Sequence, residues 1–196
     1  MSLELSESLE ICTKRLLIIP FSERHLTPRY VEWLNDPEIV RFSEQRHKKH
    51  TIESCHRYMK SFEGTPNYFF AIEEIETGIG HIGNINAYVD KNNSLADIGI
   101  LLGEKQAQSK GYGLEAWLGV CDFLFHEVGI RKITAGTISL NTPMLKLMRR
   151  AEMIDDGVRR EHYIFKDKLV DVIHMALFRE QFAGIANSSQ HDPISG

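Results

Sequence analysis

The sequence predicts a mixed α/β (α+β) domain: a mostly antiparallel sheet of about seven strands flanked by helices, with one parallel pair near its centre. Three observations carry that reading. The middle of the chain alternates with a period of two through "NYFFAIEE", "GIGHIGNINAYVD" and "SLADIGILLG", interrupted at Thr77-Gly78 and at Asp90 to Asn93, which are hairpin turns. The spacing then turns helical, with Leu114, Trp117, Leu118, Cys121, Phe125 and Val128 at offsets of 0, 3, 4, 7, 11 and 14. A strand follows that helix, so the strand–helix–strand unit from Ser94 to Ser139 is where a parallel pair belongs.

The elements follow in chain order. "RLLIIPF", Arg15 to Phe21, is a short apolar run halted by Pro20 and predicts the first strand. In "HLTPRYVEWLNDPEIVRF", Leu26, Tyr30, Trp33 and Leu34 stand at helical spacing, and Asp36 with Pro37 predicts a further helical turn. Thr51 with Ser54 opens "TIESCHRYMKSF", a third helical stretch that stops at Gly64. After the meander, the long helix from Gly111 ends at Gly129. "RKITAGTIS" predicts a strand, and "TPMLKLMRRAEM" a helix capped by Thr142 with Pro143 in its first turn. "VRREHYIF" and "LVDVIHMALF" close the fold as a hairpin turning at Lys166 to Lys168. Residues 1–182 read as one domain, and "AGIANSSQHDPISG" (183–196) has so little to bury that it predicts a frayed tail.

Composition excludes several function classes. Lys and Arg number 23 against 27 Asp and Glu, and the longest basic run is Arg46 to His50, which argues against a nucleic-acid surface. Cys12, Cys55 and Cys121 are odd in number and lack any CxxC spacing, so neither a disulfide framework nor a zinc site is expected, and a reducing cytoplasm is. No apolar run approaches the ~20 residues of a membrane span, and nothing reads as a signal peptide. The expected partner is small, or at least no polyanion.

The chemistry begins at "QSKGYGLEAW", residues 108–117. Gly111 to Ala116 satisfies GxGxxA, but a dinucleotide fold wants the glycines directly after a strand and an acid ~20 residues on. Here Gly103 to Lys110 intervene, and "RKITAGTIS" carries no acid. No GK[ST] follows, so a Walker loop is excluded too. What remains is a helix N-terminus whose glycines let main-chain N–H groups converge on a diphosphate, or merely relieve crowding.

Gln108-Ser109-Lys110-Gly111-Tyr112-Gly113 resembles the QxxGxG acetyl-CoA motif of the GNAT acetyltransferases. "TKRLLIIPF", "EWLNDPEIVRF", "GHIGNINAYVD", "ADIGILLG", "LNTPM" and "DKLVDVIHMALF" extend the likeness along almost the whole chain, and it is similar to the Rim-type branch that acetylates ribosomal proteins. The resemblance implies a parallel pair that splays open and takes the pantetheine arm against the Leu101 and Leu102 backbone. It implies that Gln108, Ser109, Lys110, Gly111, Tyr112, Gly113 and Leu114 cradle the diphosphate, and that Asn141 reaches the acetyl end. The residues alone read Asn141 as a helix-start side chain. A homodimer is also implied.

Acetyl transfer to an amine of pKa near ~10 needs a proton acceptor before nitrogen attacks. Asp97, entering the central strand, is the candidate base, although a strand-end carboxylate is equally a solvated one. The Leu101 N–H is the candidate oxyanion donor. Many family members place a tyrosine seven residues after the asparagine or a serine three after it; Met148 and Met144 stand there, and neither sulfur can donate a proton. Tyr163 is the substitute acid. For the acceptor, Glu44, Arg46 and His47 lead a polar segment suited to hydroxyl-bearing or anionic groups, which makes a nucleotide-linked amino sugar or a protein N-terminus the expected amine. The same segment also reads as a solvated face. No metal is expected, because His47 and His50 lack a third ligand at fitting distance. The competing reading is a CoA-binding sensor or scaffold without turnover.

Overall fold

The computed structural model describes residues 9–182; the tail at 183–196 lies outside them. Eight strands are present: β1 (Ile11–Cys12), β2 (Leu16–Pro20), β3 (Tyr68–Glu74), β4 (Gly80–Asp90), β5 (Leu95–Leu102), β6 (Lys132–Ile138), β7 (Ile154–Phe165) and β8 (Lys168–Phe178). They form one sheet in the order β1-β2-β3-β4-β5-β6-β8-β7, antiparallel except for β5 with β6. The strand beyond the expected seven is the two-residue β1, too short to show any alternation in the sequence.

Four helices pack on this sheet. Helix α1 (Pro28–Asn35) starts where the Thr27 side chain accepts from the Tyr30 N–H, with Pro28 in the first turn. It stops at Asn35. The expected further turn of helix at Asp36-Pro37 is instead a loop, held by the Asp36 side chain accepting from the Glu38 N–H. Helix α2 (Ile52–Lys60) has a reciprocal cap in which Thr51 and Ser54 each accept the other's N–H.

Helix α3 (Tyr112–Phe123) continues through a π-helical turn, Leu124–Val128, and is closed by left-handed Gly129. Helix α4 (Thr142–Arg150) is capped by Asn141, whose Oδ1 accepts from the Met144 N–H, so the cap lies one residue before the expected Thr142. Two adjacent residues of similar capping strength cannot be ordered from sequence.

The two faces of the sheet carry separate cores. Ile72, Ile82, Ile85, Ile98 and Ile133 meet Trp117, Phe125 and Met148 of α3 and α4 on one side. Phe21, Phe69 and Ala71 meet Tyr30, Trp33 and Cys55 of α1 and α2 on the other. Strands covered on both faces explain why "FFAI" is apolar at every position. The parallel pair is short: Leu95, Ala96 and Asp97 lie opposite Lys132, Ile133 and Thr134, and there the pairing ends, although both strands run on. Beyond Asp97 and Thr134 the sheet opens into a gap.

Candidate active site

That gap leads into a cleft of about 840 Å³ bordered by β5, β6, the start of α4, the loop after α1 and the β7–β8 hairpin. Which groups it exposes follows from strand parity. The Gly103 N–H donates to the Ile82 carbonyl at 3.0 Å, and Leu101 lies opposite Asn84. Alternation therefore sends the main-chain groups of Gly99 and Leu101 to β4 and those of Ile98, Ile100 and Leu102 into the gap. Two bonds agree: Ser94 O accepts the Arg131 N–H from the β6 side at 2.9 Å, and Gln108 Nε2 donates to Leu102 O at 3.5 Å. The expected role of the Leu101 N–H is corrected on this ground, because that group belongs to the β4 ladder. Leu102 keeps its place, joined by Ile98 and Ile100.

The diphosphate loop lies at the end of β5. Ser109 and Gly111 both adopt positive φ, 62° and 84°, which folds the chain sharply into α3. Gln108 and Ser109 line the cleft. Gly113 lets α3 seat closely, since a Cβ there would lie 3.2 Å from Leu102 and 3.3 Å from Leu147 side-chain carbons. Tyr112 is buried beneath the Arg15 guanidinium, 4.5 Å from the ring centre, and Leu114 packs against the core. Lys110 is exposed, and its carbonyl accepts from Arg15 Nη1 at 3.0 Å. Arg15 itself is gripped by Glu115 through Nε and Nη2, both at 2.7 Å. Asn141 lines the cleft, but its amide is already engaged, accepting from Met144 N–H and donating to Thr137 Oγ1 at 2.9 Å.

On the opposite face, side chains from adjacent strands stand in rows. One row holds Tyr88, Asp97 and Thr134. Thr134 Oγ1 donates to Asp97 Oδ2 at 2.8 Å. Crowding by protein raises the Asp97 pKa above the ordinary carboxylate range, opposed by the Thr134 bond and by His174. The carboxylate tip still meets water in the cleft. Tyr88 shares a hydrogen bond of 2.9 Å with the Tyr58 hydroxyl. Tyr163 lines the same cleft from β7, packed against Ile138, Val170 and Val172.

Of the three residues expected at the acceptor, only Glu44 borders the cleft. Arg46 is a clamp: it binds Glu44 at 2.7 Å and reaches the Ile164 carbonyl at 3.3 Å, fastening this segment to the β7–β8 hairpin. His47 is exposed, with Glu44 3.9 Å away. Sequence reasoning missed His174 and Gly136, which face each other on β8 and β6 and both border the cleft. Their only signal was a lone histidine in an apolar strand, which reads equally as core. Among the described residues no group of three or more His, Cys, Asp or Glu side chains is placed to hold a metal ion. Nor is any described helix long and apolar enough to cross a membrane.

A parallel pair opening over a glycine-led helix start defines the class as an acyl-CoA-dependent transferase fold. Residues 15–154 match the family described as "Acetyltransferase (GNAT) domain", and the chain belongs to that family, whose members are acyltransferases that use acetyl-CoA. The N-acetyltransferase p20 of Bacillus licheniformis is 28% identical over 160 residues, covering 78% of this chain and 87% of that protein. The human alpha/beta-tubulin-N-acetyltransferase 9 is 20% identical over 160 residues, 76% of each chain. Among solved structures, a GNAT-family acetyltransferase from Bacillus anthracis superposes with a TM-score of 0.75 at 22% identity, over 88% of this chain and 99% of its own. Spermidine N-acetyltransferase from Vibrio cholerae, in complex with CoA and spermine, gives 0.76 at 14%, over 86% and 98%. The ribosomal-protein-S5-alanine acetyltransferase of Vibrio fischeri gives 0.71 at 14%, over 89% and 98%.

Proposed function

We propose that the chain transfers the acetyl group of acetyl-CoA to the primary amine of a protein N-terminus or of a nucleotide-linked amino sugar. The observation that carries this reading is the gap past Asp97 and Thr134, with free main-chain groups on one wall and a proton-handling carboxylate at its base. The pantetheine arm adds to β5 through Ile98, Ile100 and Leu102, as a further strand would. Residues 108–114 receive the diphosphate, where the positive end of α3 favours it. The gap-facing N–H groups of β5 stand ready for the oxyanion.

The acceptor enters from the face that holds Tyr88 and Asp97. A carboxylate there draws in an ammonium, and Asp97 is one of the groups in the cleft able to take its proton. Tyr163, which lines the cleft, returns a proton to the departing sulfur. Glu44 contributes to the acceptor wall. We place the protein in the cytoplasm as a homodimer, which sedimentation at micromolar concentration tests.

The sensor reading keeps one observation in its favour: Met148 is fully buried and Met144 occupies the cleft wall, where relatives of the motif often carry a proton donor. Thiol release from acetyl-CoA with peptides, amino sugars and polyamines separates the two. Turnover with any amine supports transfer, and binding without turnover supports the sensor. Acetyl-CoA at ~100 times its dissociation constant should add about 2.7 kcal/mol of stability. NAD should add none.

A further inference from the structure

Three features outside the machinery described above invite explanation: the buried His25–His81 pair behind α1, the exposed β7 edge, and His174. The first two offer no ligand or partner, since His81 is walled in by aromatic rings and, on β7, Asp156 and Arg160 are already paired with Lys132 and Asp171. His174 is different.

Its position is fixed by register. On the face that holds Asp97, the transverse row one step further into the gap contains Gly136 on β6, His174 on β8 and Gly157 on β7. Gly99, two residues beyond Asp97, stands on that same face of β5. Three of these four positions carry no side chain, so between β5 and β7 His174 alone fills the row, which continues past Gly99 to Asn86 on β4, whose Oδ1 would lie 3.1 Å from a Cβ on Gly99. The imidazole lies over β6: a Cβ on Gly136 would sit 3.0 Å from both Nδ1 and Cε1 of the ring. It is thereby turned toward the place where β5 and β6 part. Nε2 is shut off from solvent and has no hydrogen-bond partner. A buried ring nitrogen in that condition calls for an explanation, and a proton-transfer role is one. The Asp97 carboxylate feels the charge of this ring, which favours its ionised form.

We infer that His174 is a further catalytic residue of the acetyl transfer: its imidazole takes the proton that the acceptor ammonium must lose, and Asp97 across the glycine gap stabilises the imidazolium that results. The inference rests on the transfer reading above. An N–H bond of the ammonium breaks and its proton passes to the ring, directly or through one water. The freed electron pair on nitrogen forms the C–N bond as the C–S bond of the thioester breaks. The second proton lost by that nitrogen goes to the departing sulfur, so products are the acetamide, the free thiol and a protonated imidazole that returns its proton to solvent. Neutral imidazole is well suited to accept a proton near neutral pH. Asp97 then both draws in the ammonium and favours the charged ring.

Other titratable groups border the same cleft. Tyr88 and Asp97 approach from β4 and β5, His162 and Tyr163 from β7, and Glu44 from the loop before α2. Arg159 of β7 and the Glu38–Arg41 pair complete the charged set. His162 is the one that could imitate a histidine titration, so it supplies the control.

The test compares wild type, His174→Ala, His174→Asn and His162→Gln, using acetyl-CoA and whichever amine of the panel turns over. Loss of a general base should lower kcat by about 100-fold or more in both His174 variants. The KM for acetyl-CoA should stay within about twofold, because cofactor contacts lie on the opposite face. The acid limb of kcat/KM should vanish in both and persist in His162→Gln, and added imidazole should restore turnover in His174→Ala but not in wild type. Turnover of His174→Ala within about threefold of wild type, or an unchanged acid limb, would overturn the inference.

A second measurement needs no acceptor. In CoA-saturated protein, the Asp97 carboxyl carbon followed by NMR should titrate at higher pH in His174→Ala than in wild type. Identical titrations refute the pairing. If no amine turns over with wild type, the transfer reading fails and the inference falls with it, whereas turnover that ignores His174 sinks the inference alone.

Discussion

Glu115→Ala tests how the diphosphate loop is held. The carboxylate sits in the first turn of α3, 15% exposed, and accepts four bonds: from Thr13 Oγ1 at 2.6 Å, Arg15 N–H at 2.8 Å, and Arg15 Nε and Nη2 at 2.7 Å each. Arg15 in turn reaches the Lys110 carbonyl, so one acid ties the β1–β2 turn to the loop before α3. Breaking a fully buried ion pair costs ~3–5 kcal/mol, and exposed pairs are worth ~0–1 kcal/mol. With Arg15 27% exposed and Glu115 15%, the pair falls between those limits. About 2–3 kcal/mol is the expected loss, and at ~2–4 °C per kcal/mol for a chain of this size the melting midpoint should drop by roughly 4–12 °C.

The pH dependence has a definite sign. Burial pushes the Glu115 carboxyl up, but the bonds from Thr13 and Arg15 and the Arg15 charge more than offset it, leaving the carboxyl below its ordinary range. The stabilisation is therefore complete above the unfolded value near ~4.3 and disappears as pH falls through the folded one. Wild type and Glu115→Ala should converge in acid. Thermal melts at pH 7 and pH 3, with acetyl-CoA titrations on the same samples, decide the matter. A midpoint change below about 2 °C, or an unaltered affinity for acetyl-CoA, would show that the loop does not depend on this tether.

Three shorter tests address other parts. Burial, with the charges of His25, Arg29 and Arg24, holds the His81 pKa down to about 3. The unfolded chain binds this proton below ~6.5 and the folded one does not, so stability should fall by up to ~1.4 kcal/mol per pH unit on acidification. His81→Phe should flatten that slope in urea melts at pH 6.5 and 5. Gly103→Ala would place a Cβ 2.0 Å from the buried Trp33 ring, and overpacking of ~1–3 kcal/mol with weaker acetyl-CoA binding is expected from calorimetry. Thr134→Val removes the bond that holds the Asp97 pKa down, so a rise in the Asp97 carbon-13 titration midpoint is expected. A fall would show that the Thr134 bond does not favour the ionised carboxylate.

The parts legible in the sequence are those with local causes. Period two, period 3.6 and the helix boundaries at Thr51 and Gly129 are written within a few residues of the structures they specify. Arg46 shows the limit. Its charge and neighbours suggested a substrate contact, yet a single 3-10 turn at Glu44–His47 points it at the carbonyl of Ile164, more than a hundred positions away in the chain. His174 was hidden for a similar reason. "VIHMALF" is apolar on both sides of it, and its exposure to the gap depends on Gly136 lying opposite, which only the β6–β8 register decides.

The orientation of Leu101 constrains the whole of β5. Along a strand the side chain and the main-chain groups alternate together, so a residue whose N–H faces the gap turns its side chain toward α3 and α4. Ile98 does this, since it packs in the core beneath those helices while its main chain faces β6. Asp97 does the reverse, offering its carboxylate to the acceptor face and its main chain to Tyr88. Oxyanion donors and proton acceptors on β5 must therefore come from residues of opposite parity. A strand built in this way separates the two tasks geometrically: the cofactor binds along its edge, and the acceptor approaches across its face. A proton acceptor for that face has to rise from β5 itself or from a neighbouring strand over a residue too small to block it, and Gly136 is such a residue.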